Sequence, residues 1–149
     1  MKISTKGRYG VRFLIDVAEQ GMDTHTTLSE ISKRQNISSA YLGQIAGSLK
    51  RAGYIRSIKG SNGGFTLAKP PHEIQLREVL HSLEGDLTIV DPPISTEEES
   101  LYRRAIRIGL YQKIDEAVAQ TLEVMTLDSL LRHGRLLHSV HNVAALRSQ

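Results

Sequence analysis

The residues of this chain that could do chemistry are cations and small polar side chains concentrated in its amino-terminal half. Lys59 lies near the tip of a glycine-rich segment, between the β-forming runs 54–58 and 65–67. Asn62-Gly63 is the dipeptide that a tight hairpin turn prefers, because both central residues of such a turn need positive φ. Lysine side chains contact the phosphate oxygens of DNA. The segment therefore predicts a hairpin with a cationic tip, as in the wing of a winged-helix DNA-binding domain.

Alone, a hairpin of this kind is most often an ordinary exposed turn, but helical patterns precede it. Ser4 can cap a first helix that runs to about residue 20. Its apolar face is predicted to carry Val11, Leu14, Ile15 and Ala18. Thr27 and Glu30 form a capping box at the start of a second helix, and Ser38 or Ser39 caps a third after a tight turn. This order of elements predicts a winged helix-turn-helix.

The third helix, predicted over about 40–52, matches a recognition helix. In a helix-turn-helix the second helix of the pair enters the major groove, with its amino-terminal residues at the base edges. Gln44 can pair with adenine through two hydrogen bonds, while Lys50 and Arg51 suit phosphate contacts. The opposite face carries the predicted core residues Leu42, Ile45, Ala46, Leu49 and Ala52. The complete set of predicted DNA-contacting residues is Lys2, Lys6, Arg8, Ser38, Ser39, Ala40, Tyr41, Gln44, Lys50, Arg51, Ser57, Lys59, Gly60 and Asn62.

The distribution of charge favours the same half of the chain. Residues 1–70 contain 11 Lys and Arg and 4 Asp and Glu, a net charge of +7, whereas residues 71–149 contain 8 and 12, a net charge of −4. A basic face is the electrostatic footprint of a nucleic-acid-binding domain. The first 70 residues are therefore the candidate surface for double-stranded DNA.

Other classes of function are disfavoured by what the sequence lacks. The chain has no cysteine, which excludes disulfides and almost excludes an iron–sulfur cluster, whose irons are held mainly by Cys thiolates. His133, His138 and His141 have no carboxylate among them, so we predict no metal and no cofactor. No nucleophile–base pair or phosphate-binding loop indicates an enzyme. Without a membrane-length apolar run or a signal-peptide profile, we expect a cytoplasmic protein that does not bind a membrane.

The second half of the chain is predicted to mediate dimerisation. A short amphipathic helix ends at Gly85, and the Pro-containing segment 86–96 follows. A capping box at 95–98 or 96–99 then starts a long helix that runs to about residue 125. Its apolar seam is Leu101, Ala105, Ile108, Tyr111, Ile114, Val118, Leu122 and Met125. A seam of roughly 42 Å most often meets a partner helix, which predicts a homodimer; packing on its own domain is the alternative.

These patterns divide the chain into four parts. Residues 1–85 form a winged helix-turn-helix domain, and 86–96 form a linker and candidate sensor loop. Residues 97–131 contain the dimerisation helix and a short helix after it, and 132–149 form a carboxyl-terminal tail. The predicted fold class is mainly α with a small β-wing.

Four stretches of the sequence resemble one known family. MKISTKGRYG at the start, ISSAYLGQI in the recognition helix, AGYIRSIKGSNGGFTLAKPPHEIQLREVLHSLEG through the wing and TLDSLL near the end are similar to the Rrf2 family. This family comprises bacterial winged helix-turn-helix regulators of the IscR, CymR and NsrR type. The similarity is close over residues 1–85, loose over 86–131 and absent beyond them.

The resemblance implies a homodimer, held by crossing long helices, that binds an imperfect palindrome and usually represses transcription. It implies base contacts by Ser39, Ala40 and Gln44. It also puts Lys59 where the family usually has an Arg that reaches into the minor groove. Cluster-binding members carry three cysteines before the long helix, and this chain has none. CymR-like members work without a cluster and respond to a protein partner, cysteine synthase.

Two hypotheses of different class follow. The leading one is a dimeric, cluster-free repressor, whose input is a small ligand or a partner protein acting at residues 86–105 and the dimer seam. The alternative is a winged-helix module that binds a protein instead of DNA. The net charge of +7 over the first 70 residues favours DNA.

Overall fold

Helices dominate the structure, a computed structural model that describes residues 3–89 and 99–146. Its elements are α1 (Thr5–Glu19), α2 (Leu28–Gln35), α3 (Ser39–Arg51), β1 (Ile55–Ile58), β2 (Gly64–Leu67), a 3-10 turn (Pro71–Glu73), α4 (Leu76–Glu84), α5 (Leu101–Ile106), a π-helical turn (Arg107–Tyr111), α6 (Gln112–Glu123) and α7 (Leu127–Leu146). The strands form one 2-stranded antiparallel sheet. The predicted class, mainly α with a small β-wing, is confirmed.

Side-chain caps start the first three helices where the sequence predicts them. The Oγ atoms of Ser4 and Ser38 each accept a backbone N–H of the following turn at 3.3 Å. At α2 the capping box is complete, because Thr27 accepts the Glu30 N–H and the Glu30 carboxylate accepts the Thr27 N–H at 2.7 Å. The hydrogen bond from the Thr27 N–H holds the pKa of Glu30 below its ordinary value. These bonds satisfy N–H groups that have no partner within the helix.

The core lies between α1, α3, α4 and the hairpin. The centre of the α1 face is Phe13, which is fully buried and packs edge-to-face on Phe65 with ring centroids 5.7 Å apart. The predicted α1 face is displaced because this ring takes its centre, and three of the four predicted residues are only half-buried: Val11, Ile15 and Ala18. The predicted α3 stripe is buried except for Ala52, which is exposed because α3 ends one residue before it.

The turn of the wing differs from the predicted Asn62-Gly63 turn. β1 and β2 pair with Ile58 opposite Gly64, and the turn between them is closed by the Gly63 N–H, which donates to the Gly60 carbonyl at 3.0 Å. Positive φ occurs at Gly60 and Gly64 instead of at Asn62 and Gly63. A Cβ at Gly63 would lie 2.2 Å from the Ile58 carbonyl oxygen, so this position needs glycine for a close approach. The hairpin was predicted correctly and its turn was not.

The segment before α2 connects the wing to the helices. Thr26 forms an antiparallel bridge with Phe65, with N–H···O distances of 3.0 and 2.8 Å. The Thr66 hydroxyl donates to the Met22 carbonyl at 2.8 Å and holds the same loop. The hairpin is therefore anchored at its base to the segment between α1 and α2.

A buried carboxylate joins α1 to α2. Asp16, with its side chain 2% exposed, accepts hydrogen bonds from Arg34 Nε at 3.1 Å and from the second guanidinium nitrogen at 2.7 Å. Gln35 Nε2 donates to the same carboxylate at 2.8 Å. Arg34 also donates to the Thr26 hydroxyl, and its bonds to Asp16 raise its pKa. This network links the helix pair to the segment that anchors the wing.

The predicted long helix is present and starts later than expected. α5, the π-helical turn and α6 are continuous, and Ser100 caps them by accepting the Arg103 N–H at 3.3 Å. Residues 95, 96 and 98 of the two predicted capping boxes lie outside the described residues. Glu99 instead accepts two hydrogen bonds from Arg107 at 2.8 and 2.7 Å, which lower the pKa of Glu99.

The last helix is longer than predicted. α7 continues to Leu146, through most of the segment that the sequence analysis assigned to a tail. Residues 132–139 are all exposed, and a helix without a buried stripe gives little periodic signal in the sequence. Its start is held to the amino-terminal part of the chain, because Leu127 is buried and its N–H donates to the Ile74 carbonyl at 2.9 Å.

Candidate nucleic-acid interface

The amino-terminal part of α3 presents a surface of small and polar side chains. Ser39, Ala40 and Gln44 are exposed, whereas Leu42 on the other face of the helix is fully buried. Tyr41 is half-buried, and its ring packs edge-to-face on a tyrosine of α1 at a centroid distance of 5.9 Å. The side chain of Gln44 carries two N–H donors and a carbonyl acceptor. Small neighbours and a side chain able to read a base edge therefore occupy the same face.

The chain passes directly from α3 into the wing through a Schellman motif. The Tyr54 N–H donates to the Leu49 carbonyl at 3.0 Å, and the Gly53 N–H donates to the Lys50 carbonyl at 3.1 Å. Lys50 Nζ donates to the Ser57 hydroxyl at 2.7 Å. Two of the predicted DNA-contacting residues are thus bonded to each other, and this bond connects α3 to the hairpin.

The tip of the wing is exposed, as the sequence predicts for a hairpin with a cationic tip. Lys59, Gly60 and Asn62 are all exposed. Arg51, at the end of α3, is also exposed, and its guanidinium donates to the Ser48 hydroxyl at 3.3 Å. The predicted cations of α3 and the wing are therefore open to a polyanion.

The polar groups of Ser4, just before α1, are hydrogen-bonded to a carboxylate of this chain. Glu84, the last residue of α4, accepts the Ser4 N–H at 3.1 Å and the Ser4 hydroxyl at 2.7 Å. The positive end of the helix dipole favours such a charge. Arg8 is exposed and its Nε donates to the Ser4 carbonyl at 3.4 Å, while Lys6 is half-buried. Phosphate contacts by Lys6 and Arg8 stay predictions, as does that of Lys2, which lies outside the described residues.

One exposed cation of the wing was missed by the sequence analysis. Arg56 lies on β1 opposite Thr66, and its side chain is exposed on the same face of the strand as Ile58. The alternation of Ile55 and Arg56 within a predicted strand was the signal that could have identified it. We add Arg56 to the candidate phosphate contacts.

Lys59→Ala is expected to lower the affinity for DNA and to flatten the salt dependence of binding by about one unit in log Kd against log salt. The reason is the loss of one counterion-releasing contact. Fluorescence anisotropy titrations between low and physiological salt measure both quantities. Arg132→Ala, which removes an exposed charge from α7, is the control and should leave the slope unchanged. An unchanged slope for Lys59→Ala would remove the wing tip from the contact surface.

Gln44→Ala is expected to change sequence preference, with a loss of about 1–3 kcal/mol on sites that contain the contacted base pair. The smaller side chain lacks the donor and acceptor that pair with a base edge. Competition between a DNA site selected by the protein and variants of that site carrying one substituted base pair measures this effect. An equal loss of affinity on every sequence would assign Gln44 to backbone contact.

The predicted dimer seam is divided between two environments. Leu101 and Ala105 are exposed, as are Ile108 and Ile114, which is 39% exposed. The remaining members are half-buried: Tyr111, Val118, Leu122 and Met125. Among these, Val118 and Leu122 line the gap between α6 and α4. The amino-terminal part of the seam is therefore exposed, whereas its carboxyl-terminal part faces α4 of the same chain.

The structure also limits two other kinds of site. In residues 3–89 and 99–146 no group of three or more His, Asp or Glu side chains could hold a metal ion. Among the helices described, none is long and apolar enough to cross a membrane. The exposed α3 face and wing remain the candidate functional site.

Comparisons with known proteins find similarity to one family over nearly the whole chain. The family model Rrf2, described as an iron-dependent transcriptional regulator, matches residues 3–133. The HTH-type transcriptional regulator CymR of Bacillus subtilis is 35% identical over 130 residues, which are 87% of this chain and 89% of that protein. Protein rrf2 of Nitratidesulfovibrio vulgaris is 32% identical over 140 residues, 91% of each chain. The solved structure of CymR, described as the global cysteine regulator of B. subtilis, matches with a TM-score of 0.76 at 34% identity, over 89% of this chain and 98% of that one.

Proposed function

From the premise that the chain belongs to the Rrf2 family of DNA-binding transcription regulators, we propose that it is a homodimeric repressor of a palindromic operator. The observation that carries this proposal is the exposed amino-terminal face of α3 beside an exposed cationic wing. Small polar residues and Gln44 suit base readout, while Lys50, Arg56 and Lys59 suit phosphate anchoring. The hydrogen bond between Lys50 and Ser57 connects α3 to the wing, which supports a single DNA-binding surface formed by both.

A second copy of this chain is the proposed partner of the long helix. Leu101 is 83% exposed and Leu110 is 51% exposed, a large apolar exposure for a surface helix. Beside it lies an apolar groove of about 450 Å³ lined by Leu80, Leu110 and Ile114. A partner helix packed on this face would bury these residues and relate two recognition helices by twofold symmetry. Such a pair fits half-sites separated by roughly 34–36 Å.

The residues of the chain do not fit an iron–sulfur cluster, although the family description names iron. Cluster irons are held mainly by Cys thiolates, and the chain contains no cysteine. The proposed input is therefore a small ligand or a partner protein, with cysteine synthase as the candidate protein. It would act at residues 86–105 and the seam, where the Glu99–Arg107 ion pair holds the start of the long helix. An effector there could change the angle between the two recognition helices.

A titration of DNA binding across salt tests the proposed function. A dimer that makes several phosphate contacts should lose affinity steeply between about 50 and 200 mM salt. The same protein should keep a preference for one genomic site over random DNA at each salt concentration. Absence of binding at low salt would favour the alternative, a winged-helix module that binds protein.

A further inference from the structure

Gly47, in the interior of α3, is a glycine that the fold does not require. Glycine lowers the stability of a helix relative to alanine, because its backbone loses more conformational freedom on folding. We propose that Gly47 is a specificity-determining residue, whose missing side chain lets the backbone of α3 lie against the floor of the major groove. This role rests on the proposed function, because it needs α3 to enter DNA.

Most other glycines of the chain have a structural reason. Five of them have positive φ, a conformation that favours glycine. At Gly7 and Gly10 a Cβ would clash with a side chain of α4, and at Gly63 it would clash with the Ile58 carbonyl. The glycines with neither reason are Gly43, Gly47, Gly109 and Gly134. Two of these lie in α3, the helix proposed to read DNA.

The surroundings of Gly47 leave room for a side chain. The atom nearest to a Cβ built there is Arg51 Nη1 at 3.5 Å, which is an ordinary van der Waals distance. That atom is the end of an exposed side chain, which can move away. Gly43 instead faces α2, because the nearest atom to its Cβ would be Leu28 Cδ1 at 3.8 Å. Packing among the described residues therefore gives no reason for glycine at position 47.

Gly47 lies at the centre of the predicted DNA-contacting face of α3. Residues three, four or seven apart share one face of a helix, and Gln44, Arg51 and Ala40 have these separations from it. All three are exposed, whereas Gly47 is half-buried, because without a side chain its surface lies below theirs. Leu49, on the opposite face, is fully buried. A shallow depression therefore separates a side chain suited to a base edge from a cation suited to a phosphate.

This depression sets how closely the helix can approach the duplex. A methyl group at position 47 would raise the surface by roughly 1.5 Å, the length of one carbon–carbon bond. Hydrogen bonds need donor–acceptor distances of about 2.7–3.2 Å, so a displacement of that size would break those of Gln44 with a base edge. The attraction between cations and phosphates falls off gradually with distance. Base readout is therefore more sensitive to the size of residue 47 than non-specific attraction is.

Gly47→Ala is expected to change stability and DNA recognition in opposite directions. The melting temperature of the full chain should rise by roughly 2–4 °C, because alanine is the better helix former. Affinity for a DNA site selected by the unmodified protein should fall by roughly tenfold, as expected when a methyl group is forced into a close contact. Affinity for random DNA, which depends on charge, should stay nearly the same. Calorimetry and fluorescence anisotropy measure these quantities, and a fall in melting temperature with equal losses on all DNA would contradict the proposal.

Gly134→Ala is the matched control. Gly134 lies in α7, where a Cβ would meet no atom of the described residues within 4 Å. This substitution should also raise the melting temperature, because it replaces a helical glycine, and it should leave both affinities unchanged. A loss of specific affinity equal to that of Gly47→Ala would assign the effect to helix stiffening and overturn the proposal.

Gly47→Leu adds a larger side chain that is also a good helix former. It should weaken binding to the selected site further than Gly47→Ala does, because a larger group holds α3 further from the bases. Circular dichroism should show that both variants keep their helices. Full affinity of both folded variants for the selected site would overturn the role of Gly47.

The outcomes for the two proposals are distinguishable. An unmodified protein that selects no DNA site would contradict the proposed function, and the role of Gly47 with it. An unmodified protein that selects a site to which Gly47→Ala binds equally well would overturn the role of Gly47 alone.

Discussion

Ile114→Asp is expected to convert the proposed dimer into a monomer and to lower affinity for the proposed operator by roughly 100-fold or more. Ile114 is 39% exposed in the single chain and lies beside Leu110 on the open face of the long helix. A partner helix would bury the new carboxylate without a counter-charge, which is strongly unfavourable. A monomer engages one half-site and loses the high effective concentration that links the second half-site to the first.

Light scattering coupled to size-exclusion chromatography measures the oligomeric state, and anisotropy measures operator affinity. Gln112→Asp is the matched control, because it adds the same charge to an exposed position two residues away on the same helix. Circular dichroism should show that both variants keep their helices. An Ile114→Asp protein that remains dimeric and binds the operator normally would remove the long helix from the dimer interface.

Arg34→Met is expected to destabilise the protein by about 3 kcal/mol. It leaves the carboxylate of Asp16 buried, with its side chain 2% exposed and only Gln35 donating to it. The network also reaches Thr26, which anchors the wing, so the variant should loosen the hairpin base. Urea unfolding followed by circular dichroism measures the change. Lys33→Ala, an exposed neighbour on the same helix, should change stability by less than about 0.5 kcal/mol.

The double variant Asp16→Leu/Arg34→Met identifies the source of that loss. Replacing both partners of a buried ion pair with apolar residues is often neutral, whereas removing one partner is costly. The double variant should therefore recover much of the stability lost by Arg34→Met. A double variant as unstable as the single one would show that the unpaired carboxylate is not the cause.

Local signals in the sequence were enough to predict the DNA-binding domain. Ser4, Thr27 and Ser38 cap their helices because short hydroxyl side chains satisfy free N–H groups at helix starts. Gly85 ends α4 as predicted. Alternating β-forming residues defined the hairpin. Each of these features depends on residues close in sequence, which is why each can be read from one chain.

Features that depend on distant residues were missed or misplaced, and one local turn was also wrong. The predicted Asn62-Gly63 turn is wrong because the Gly63 N–H bonds to the Gly60 carbonyl and the hairpin loop is longer, although these residues are close in sequence. The ion pair of Asp16 and Arg34 joins residues 18 apart on two helices, and the residue type of Asp16 does not mark its position as buried. The α1 face was displaced for the same reason, since Phe13 packs on the distant Phe65.

The features of the candidate site also divide into those that depend on residues close in sequence and those that depend on distant residues. Exposure of Gln44 and Lys59 followed from their position on a helix face and at a hairpin tip. The bond from Lys50 to Ser57 and the contact of Glu84 with Ser4 join elements that only the fold brings together. The gap between α6 and α4 depends on how these two helices pack, which no pattern within either helix specifies.

The central claim is that this chain reads a specific DNA sequence with two copies of α3 and its wing. Selection of fragmented genomic DNA from the source organism by the purified full chain, followed by sequencing of the bound fragments, tests it most directly. We expect enrichment of an inverted repeat with half-sites about one helical turn apart, or a small multiple of it. Recovery of fragments with no shared inverted repeat, or of no fragments at low salt, would contradict the claim.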